Sequence, residues 1–170
     1  MSRKRLEAVP FAARVLYRLL RRTQPKRLVF SAYGLREGHL FSLLDENEQQ
    51  KDPLLAGAAA MAQSPRRFGA EGDELFAWTH PLYPDETPEH RRLRHAAALL
   101  SDVAWAEHPD YRAEQALRMT LFMPLPGIDH AGRAFLAATL HARYGGNDPG
   151  DTVHRLLDDA WTEPLRHVLE

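Results

Sequence analysis

The sequence predicts a mainly α protein, a helical body behind one stray strand. Three observations point there. After Gly38 the apolar residues recur at helical spacing almost to the end of the chain. Prolines and capping residues punctuate that pattern at helix-sized intervals. Only one short run, Arg27-Leu28-Val29-Phe30-Ser31, has the character of a strand.

The elements follow in order. Residues 6–22 read as an amphipathic helix. Val9, Ala12, Ala13, Leu16, Leu19 and Leu20 fall on one face, with Arg14, Arg18, Arg21 and Arg22 on or near the other. Pro10 is comfortable in a first turn, so the regular part is expected to start there, and Thr23-Gln24-Pro25 ends it. The strand at 27–31 precedes Tyr33-Gly34. Alone it would leave its hydrogen-bonding edges unpaired, so it is expected to join a sheet supplied from elsewhere. That sheet is either a preceding α/β domain, of which residues 1 to 35 would be the tail, or a second copy across a two-fold axis. Residues 39–44 form a short helix and 46–51 a polar linker. Asp52 caps a helix over 53–62 with Pro53 at its first position. A helix over 71–78 runs into a proline-rich loop at 81–88, and Thr87 caps a long helix from 88 to 107. Its apolar stripe is Leu93, Ala96, Ala97, Leu100, Val103 and Ala104. Asp110 opens a helix over 111–122, which Pro124 to Gly127 breaks. Residues 129–144 form the next, stopped by Gly145-Gly146, and Asp151 starts a last helix to residue 169.

Composition narrows the classes. The chain has 170 residues, enough for one domain or one domain plus a fragment of a second, and at 44% hydrophobic and 26% charged it can bury a sizeable core. It has no cysteine, which excludes disulfide scaffolds, thiolate metal sites and cysteine nucleophiles. The longest apolar run, 54–62, contains Gly57 and falls short of the roughly 18 residues a membrane span needs. Glu7 and Pro10 interrupt what would be the apolar part of a signal peptide. The expectation is a soluble, cytoplasmic protein with no membrane partner.

The net charge of −1 hides an asymmetry. The first 30 residues carry nine Lys or Arg and one acid, Glu7, while the other 140 carry thirteen basic and twenty-two acidic side chains. Such a cluster either attracts polyanions or an acidic neighbour, or is a solvated helix face. Nineteen of the twenty-two basic residues are arginine, the side chain suited to bidentate phosphate and carboxylate contacts.

Nine histidines invite a metal reading, but His90 and His95 are five apart, without a His-Glu-x-x-His pattern, and the others are scattered. Helical metal phosphohydrolases need a His-Asp pair, because adjacent imidazole and carboxylate hold a divalent ion that activates water. The corresponding place here reads Ser101-Asp102, and a serine hydroxyl is a poor substitute. Gly69 to Gly72 and Gly145-Gly146-Asn147 lack the Lys-Ser/Thr of a phosphate loop, and Ser31 lacks a nucleophile elbow. In Gly34-Leu35-Arg36-Glu37-Gly38, two glycines bracket an Arg36–Glu37 pair after the strand. The plain reading is an ion pair fixing a domain junction at a glycine-permitted turn.

The stretch from Phe30 to Gly38 resembles the strand and turn that close the catalytic part of the exopolyphosphatase/guanosine pentaphosphate phosphohydrolase family. Arg67-Phe68-Gly69, Glu74-Leu75-Phe76-Ala77-Trp78, Leu93 to Asp102 and Ala104-Trp105 agree with it. His108-Pro109-Asp110-Tyr111-Arg112-Ala113-Glu114-Gln115 is similar to the C-terminal domain of its alphaproteobacterial-type members. The resemblance implies a helical HD-like domain over 39–170, preceded over 1–38 by a helix-strand remnant of an actin-like (ribonuclease H-like) α/β lobe. It implies release of terminal phosphate from inorganic polyphosphate, in some members from guanosine pentaphosphate, with Mg²⁺ held by N-terminal lobes whose motifs these residues lack. The HD position is degenerate at Ser101-Asp102, so this segment is expected to hold no metal or other cofactor and to be inactive alone. Its expected roles are polyphosphate binding through Arg66, Arg67, Arg91, Arg92, Arg94 and Arg112, and homodimerisation, with no nucleic-acid partner. Those arginines could equally pair with local acids such as Glu86, Glu89 and Glu107. A free-standing metal phosphohydrolase using Asp102, and a non-catalytic interaction module, are the alternatives.

Overall fold

A computed structural model describes residues 3–31, 33–62 and 71–157. Its α-helices are α1 (Arg3–Thr23), α2 (Leu35–Ser42), α3 (Glu46–Gln50), α4 (Pro53–Ala62), α5 (Glu71–Thr79), α6 (Pro88–Leu99), α7 (Arg112–Phe122), α8 (His130–Arg143) and α9 (Asp151–Leu156). Short 3-10 turns at His80–Leu82 and Pro109–Tyr111 precede α6 and α7. The chain divides into two units, Met1–Gln49 and Gln50–Glu170. No helix among the described residues is long and apolar enough to cross a membrane.

In the first unit, helix formation is local. The regular part of α1 starts at Arg3, ahead of the expected position, and holds Pro10 in its interior. Proline costs the helix one amide donor there, but the good helix formers on either side carry it through. The end comes where the sequence puts it. The Thr23 hydroxyl donates to the Leu19 carbonyl at 2.9 Å, and Gln24, at φ 42°, turns the chain before Pro25. The expected strand at 27–31 is not one: no strand occurs among the described residues, and without a partner strand there is no ladder to form. Helix α2 begins at Leu35, four residues early, because the Glu37 carboxylate accepts the Gly34 amide at 2.7 Å and closes the first turn. The linker at 46–51 contains α3, opened by the Asp45 carboxylate accepting from the Glu48 amide. None of the described residues in this unit is buried.

The second unit has a core. Helix α8 runs through it, with Ala134, Phe135, Leu136, Ala137, Ala138 and Leu140 all buried. Helix α7 lies antiparallel to it: Arg133 near the start of α8 reaches the Thr120 carbonyl at the end of α7, while His141 near its end meets Glu114. Leu93 and Ala96 of α6, Leu54 and Ala58 of α4, and Val153 of α9 close the same cluster. Each fully buried Leu contributes about 1.5–3 kcal/mol. Caps set the boundaries as the sequence suggests. Asp52 accepts from the Leu54 and Leu55 amides, Thr87 from His90, and Asp129 from Gly132. Gly145, at φ +83°, stops α8, with its amide on the Ala142 carbonyl and that of Gly146 on His141.

Helix α6 corrects one expectation. It ends at Leu99, and residues 100–107 continue as tight turns. Their amides bond three residues back, Val103 to Leu100, Trp105 to Asp102 and Glu107 to Ala104. The physical cause is tertiary: the Tyr144 hydroxyl donates to the Ser101 carbonyl at 2.9 Å and accepts from the Ala104 amide at 3.2 Å. The apolar stripe survives the change, since Leu100 and Ala104 are still buried. Helix α9 ends at Leu156, where Leu157 turns to an extended conformation (ψ 126°), short of the helix expected up to residue 169; residues 158–169 of that expectation lie outside the described residues.

Candidate functional site

Polyanion recognition needs arginines that are exposed and not committed to other groups, so the partners of each predicted arginine matter. Arg66 and Arg67 lie outside the described residues. On α6 the capped start places Arg91, Arg92 and Arg94 on successive faces.

Arg94 is turned inward. Its Nε and Nη2 donate to both oxygens of Glu86 at 2.8 and 2.6 Å, and its Nη1 donates to the Thr79 hydroxyl and the Phe76 carbonyl. The guanidinium lies 4.3 Å from the Phe76 ring centre and 4.9 Å from that of Tyr83. Side-chain exposures of 11% for Arg94 and 8% for Glu86 leave neither group open to a ligand. The Arg94 bond, against partial burial, holds the Glu86 carboxyl below its ordinary range, with the charges of Arg94, Arg91 and His80 assisting.

Arg92 ties α6 to α4. It makes a two-point contact with Asp52, at 2.5 and 3.0 Å, and also donates to the Gly127 carbonyl and to Glu89. Burial raises the Asp52 carboxyl, but the Arg92 bond, the Leu55 and Leu54 amides and the Arg92 charge outweigh it, and the net shift is downward. The same pairing pushes the Arg92 guanidinium up. Asp52 thus caps α4 and anchors α6 with one carboxylate. Arg112 donates twice to the Glu107 carbonyl, at 3.2 and 3.0 Å, and lies 5.9 Å from the Tyr144 ring centre. Arg91 is exposed, with its guanidinium 5.8 Å from the Phe76 ring centre. The structure therefore brings Arg91, Arg92 and Arg94 to one helix but spends Arg92 and Arg94 on internal contacts.

Ser101 and Asp102 sit in the turns after α6. Ser101 serves through its carbonyl, which accepts the Tyr144 hydroxyl. Burial raises the Tyr144 phenol, with the Ala104 amide opposing and the nearby Asp102 charge adding to the rise. The donor set does not fit a divalent ion. Asp102 has a serine where an imidazole would be needed, and no group of three His, Asp or Glu side chains among the described residues could hold a metal. The histidines find carboxylates singly: His95 meets Asp73 at 2.7 Å, His141 meets Glu114 at 3.2 Å and His154 meets Asp148 at 2.8 Å.

In the first unit, Gly34, Arg36, Glu37 and Gly38 form the opening turn of α2. The Glu37 carboxylate is taken by the Gly34 amide, and no ion pair joins it to Arg36 among the described residues. Hydrogen bonds from its own amide and that of Gly34 lower the Glu37 carboxyl. Gly34 has φ −108°, which any residue adopts, so neither glycine is there for a left-handed turn.

The group outside the predicted set is on α1. Arg14, Arg18, Arg21 and Arg22 line a shallow surface hollow with Tyr17. Arg21 leans on Tyr17, 5.8 Å from its ring centre. Among the described residues no carboxylate pairs with Arg14, Arg18 or Arg22, and the one acid of the helix, Glu7, sits by Arg3 at 3.8 Å. The basic excess of the first 30 residues was the available signal for this group. That excess alone does not single the group out, because it reads equally well as a solvated helix face.

Fold and site define two parts, a helical domain whose interior arginines serve its own architecture and a separate arginine-rich helical unit. The chain belongs to the exopolyphosphatase C-terminal domain family, whose pattern matches residues 55–166. It is also similar to retrograde regulation protein 2 of Saccharomyces cerevisiae (strain ATCC 204508 / S288c), with 28% identity over 131 residues, 74% of this chain and 21% of that protein. The chain thus spans about a fifth of the length of that curated relative.

Proposed function

We propose that the chain is the C-terminal portion of an exopolyphosphatase of alphaproteobacterial type, a cytoplasmic enzyme that releases terminal phosphate from inorganic polyphosphate or guanosine pentaphosphate. In this reading residues 39–170 are its HD-like domain and residues 1–38 the closing part of an actin-like lobe. Catalysis and Mg²⁺ belong to N-terminal lobes, and this segment contributes polyphosphate binding and homodimerisation.

The observation that carries the reading is the family match over residues 55–166. Two features support it. The apolar side chains of α1 and of 28–30 are exposed within the first unit, as suits a helix and extended segment built to dock on a sheet. The serine at position 101 removes the imidazole that a second, helical metal site would need.

The test is phosphate release from long-chain polyphosphate by the purified 170-residue chain, with Mg²⁺ and then Mn²⁺. No release, together with polyphosphate binding that weakens steeply as salt rises, is the expected result. Metal-dependent turnover lost in Asp102→Ala would overturn it in favour of a free-standing phosphohydrolase. Sedimentation of the chain at micromolar concentration tests the dimer, and a monomer throughout would remove that role.

A further inference from the structure

We propose that the arginine row of α1, centred on Arg14, Arg18 and Arg22, is the polyanion-binding face of this chain and takes a linear chain of condensed phosphates. The inference rests on the polyphosphate reading above but moves the contact from α6 to α1.

The argument starts from helix geometry. Arg14, Arg18 and Arg22 recur every four residues, and Arg21 falls beside them, so the four guanidinia rise along one side of the helix over about 12 Å. Like charges at this spacing repel each other and weaken the helix. Arg21 and Arg22 have a structural reason to be there, since cations in a last turn favour the helix dipole. Arg14 and Arg18 lie in the interior of the helix, beyond the reach of that effect, and no carboxylate among the described residues offsets them.

Four arginines of the second unit are placed against acceptors. Arg92, Arg94, Arg112 and Arg133 each bond to carboxylates or carbonyls within their own unit. The α1 row is the contrasting case: exposed, like-charged and aimed at solvent. A ligand of the opposite charge, with acceptors repeated along a line, would relieve the repulsion and use the forked geometry of guanidinium.

The row offers a polyanion guanidinium groups and little else. From Arg14 to Arg22 the sequence is Arg-Val-Leu-Tyr-Arg-Leu-Leu-Arg-Arg, so its polar groups are four guanidinia and one phenol, with no carboxylate to repel a polyanion. The one aromatic side chain in the stretch, Tyr17, already accepts a contact from Arg21. Arginine serves nucleic acid and condensed phosphate alike, so the choice of condensed phosphate rests on the family match, and the comparison with duplex DNA tests it.

The experiment measures binding of long-chain inorganic polyphosphate to the full chain, to R14Q/R18Q/R22Q and to R14K/R18K/R22K, across a salt series. Circular dichroism accompanies each variant. The glutamine triple is expected to bind at least about tenfold more weakly, and its slope of log affinity against log salt to fall by about 2. The lysine triple, which keeps charge and helix, is expected to retain most of the affinity. Wild-type binding unchanged in the glutamine triple overturns the α1 site while leaving the polyphosphate reading intact. No binding by the wild-type chain overturns both. A lysine triple as weak as the glutamine triple, or duplex DNA of matched phosphate number bound as tightly as polyphosphate, overturns the assignment of the row to condensed phosphate.

Discussion

Arg94 illustrates how one side chain can be read two ways. Next to Arg91 and Arg92 in sequence it looks like part of a cationic patch, yet its fork is closed on Glu86 with both partners almost wholly out of water. Removing it should cost far more than an exposed ion pair, because Glu86 would be left buried with no closer partner than His80 at 3.7 Å. Arg94→Ala is expected to lower stability by about 3 kcal/mol in urea denaturation, and Arg94→Lys to recover only part of it, since an ammonium cannot make the two-point contact. A loss below about 1 kcal/mol would show the pair to be peripheral. The same carboxylates set a pH dependence. Glu86 and Asp52 both have folded-state pKa values below their unfolded ones, so their stabilisation is complete above the unfolded carboxyl range and is lost as pH falls through the folded values. Stability measured at about pH 7 and about pH 3 should therefore drop on acidification, and the drop should shrink in Glu86→Gln and Asp52→Asn. An unaltered drop in both variants would place the acid sensitivity in other groups.

At the scale of elements, the end of α6 is the informative place. Its apolar stripe continues to Ala104, and periodicity alone carries the helix past it, but the Tyr144 hydroxyl takes up the Ser101 carbonyl and the Ala104 amide. Tyr144→Phe keeps the ring and removes those two bonds, which should cost about 1–2 kcal/mol. Hydrogen exchange of amides 101–107 should quicken while that of α8 is unchanged. Equal protection in the variant would mean that the turns hold themselves. Caps were easier to read, because their chemistry is local. Asp52, Thr87 and Asp129 each bond an amide two or three residues ahead, and Gly145 takes the left-handed conformation that stops α8. Gly145→Ala forces a Cβ into that conformation and is expected to cost about 1 kcal/mol in the same denaturation assay.

For the whole molecule, every buried side chain among the described residues lies between Leu54 and Val153, within the second unit. That unit carries its own core, so residues 50–170 expressed alone should unfold in one cooperative transition. A broad, non-cooperative melt would show that the core needs more than its own helices. The first unit is organised differently. Its helices form from local propensity and local hydrogen bonds, while its apolar faces and its arginines are both exposed, so what it does depends on what it meets.

The amino-acid sequence by itself determined the helical class, the caps of α4, α6 and α8, the stop of α8, the identity of the core stripe and the family. Each depends on spacing or on residues close in the chain, where backbone geometry converts sequence directly into position. Tertiary structure decided which arginines are free. Arg92 and Arg94 differ from Arg91 only in what stands opposite them, and Asp52, forty residues before Arg92, is invisible to any local pattern. It also decided where α6 ends, through a hydroxyl forty residues after the Ala104 amide. The fate of 27–31 depended on a partner strand, since a ladder needs two strands and sequence shows only one. Helices can be read from one stretch of chain because their bonds are internal to it, while ion pairs, ladders and tertiary stops need a second stretch whose place only folding sets.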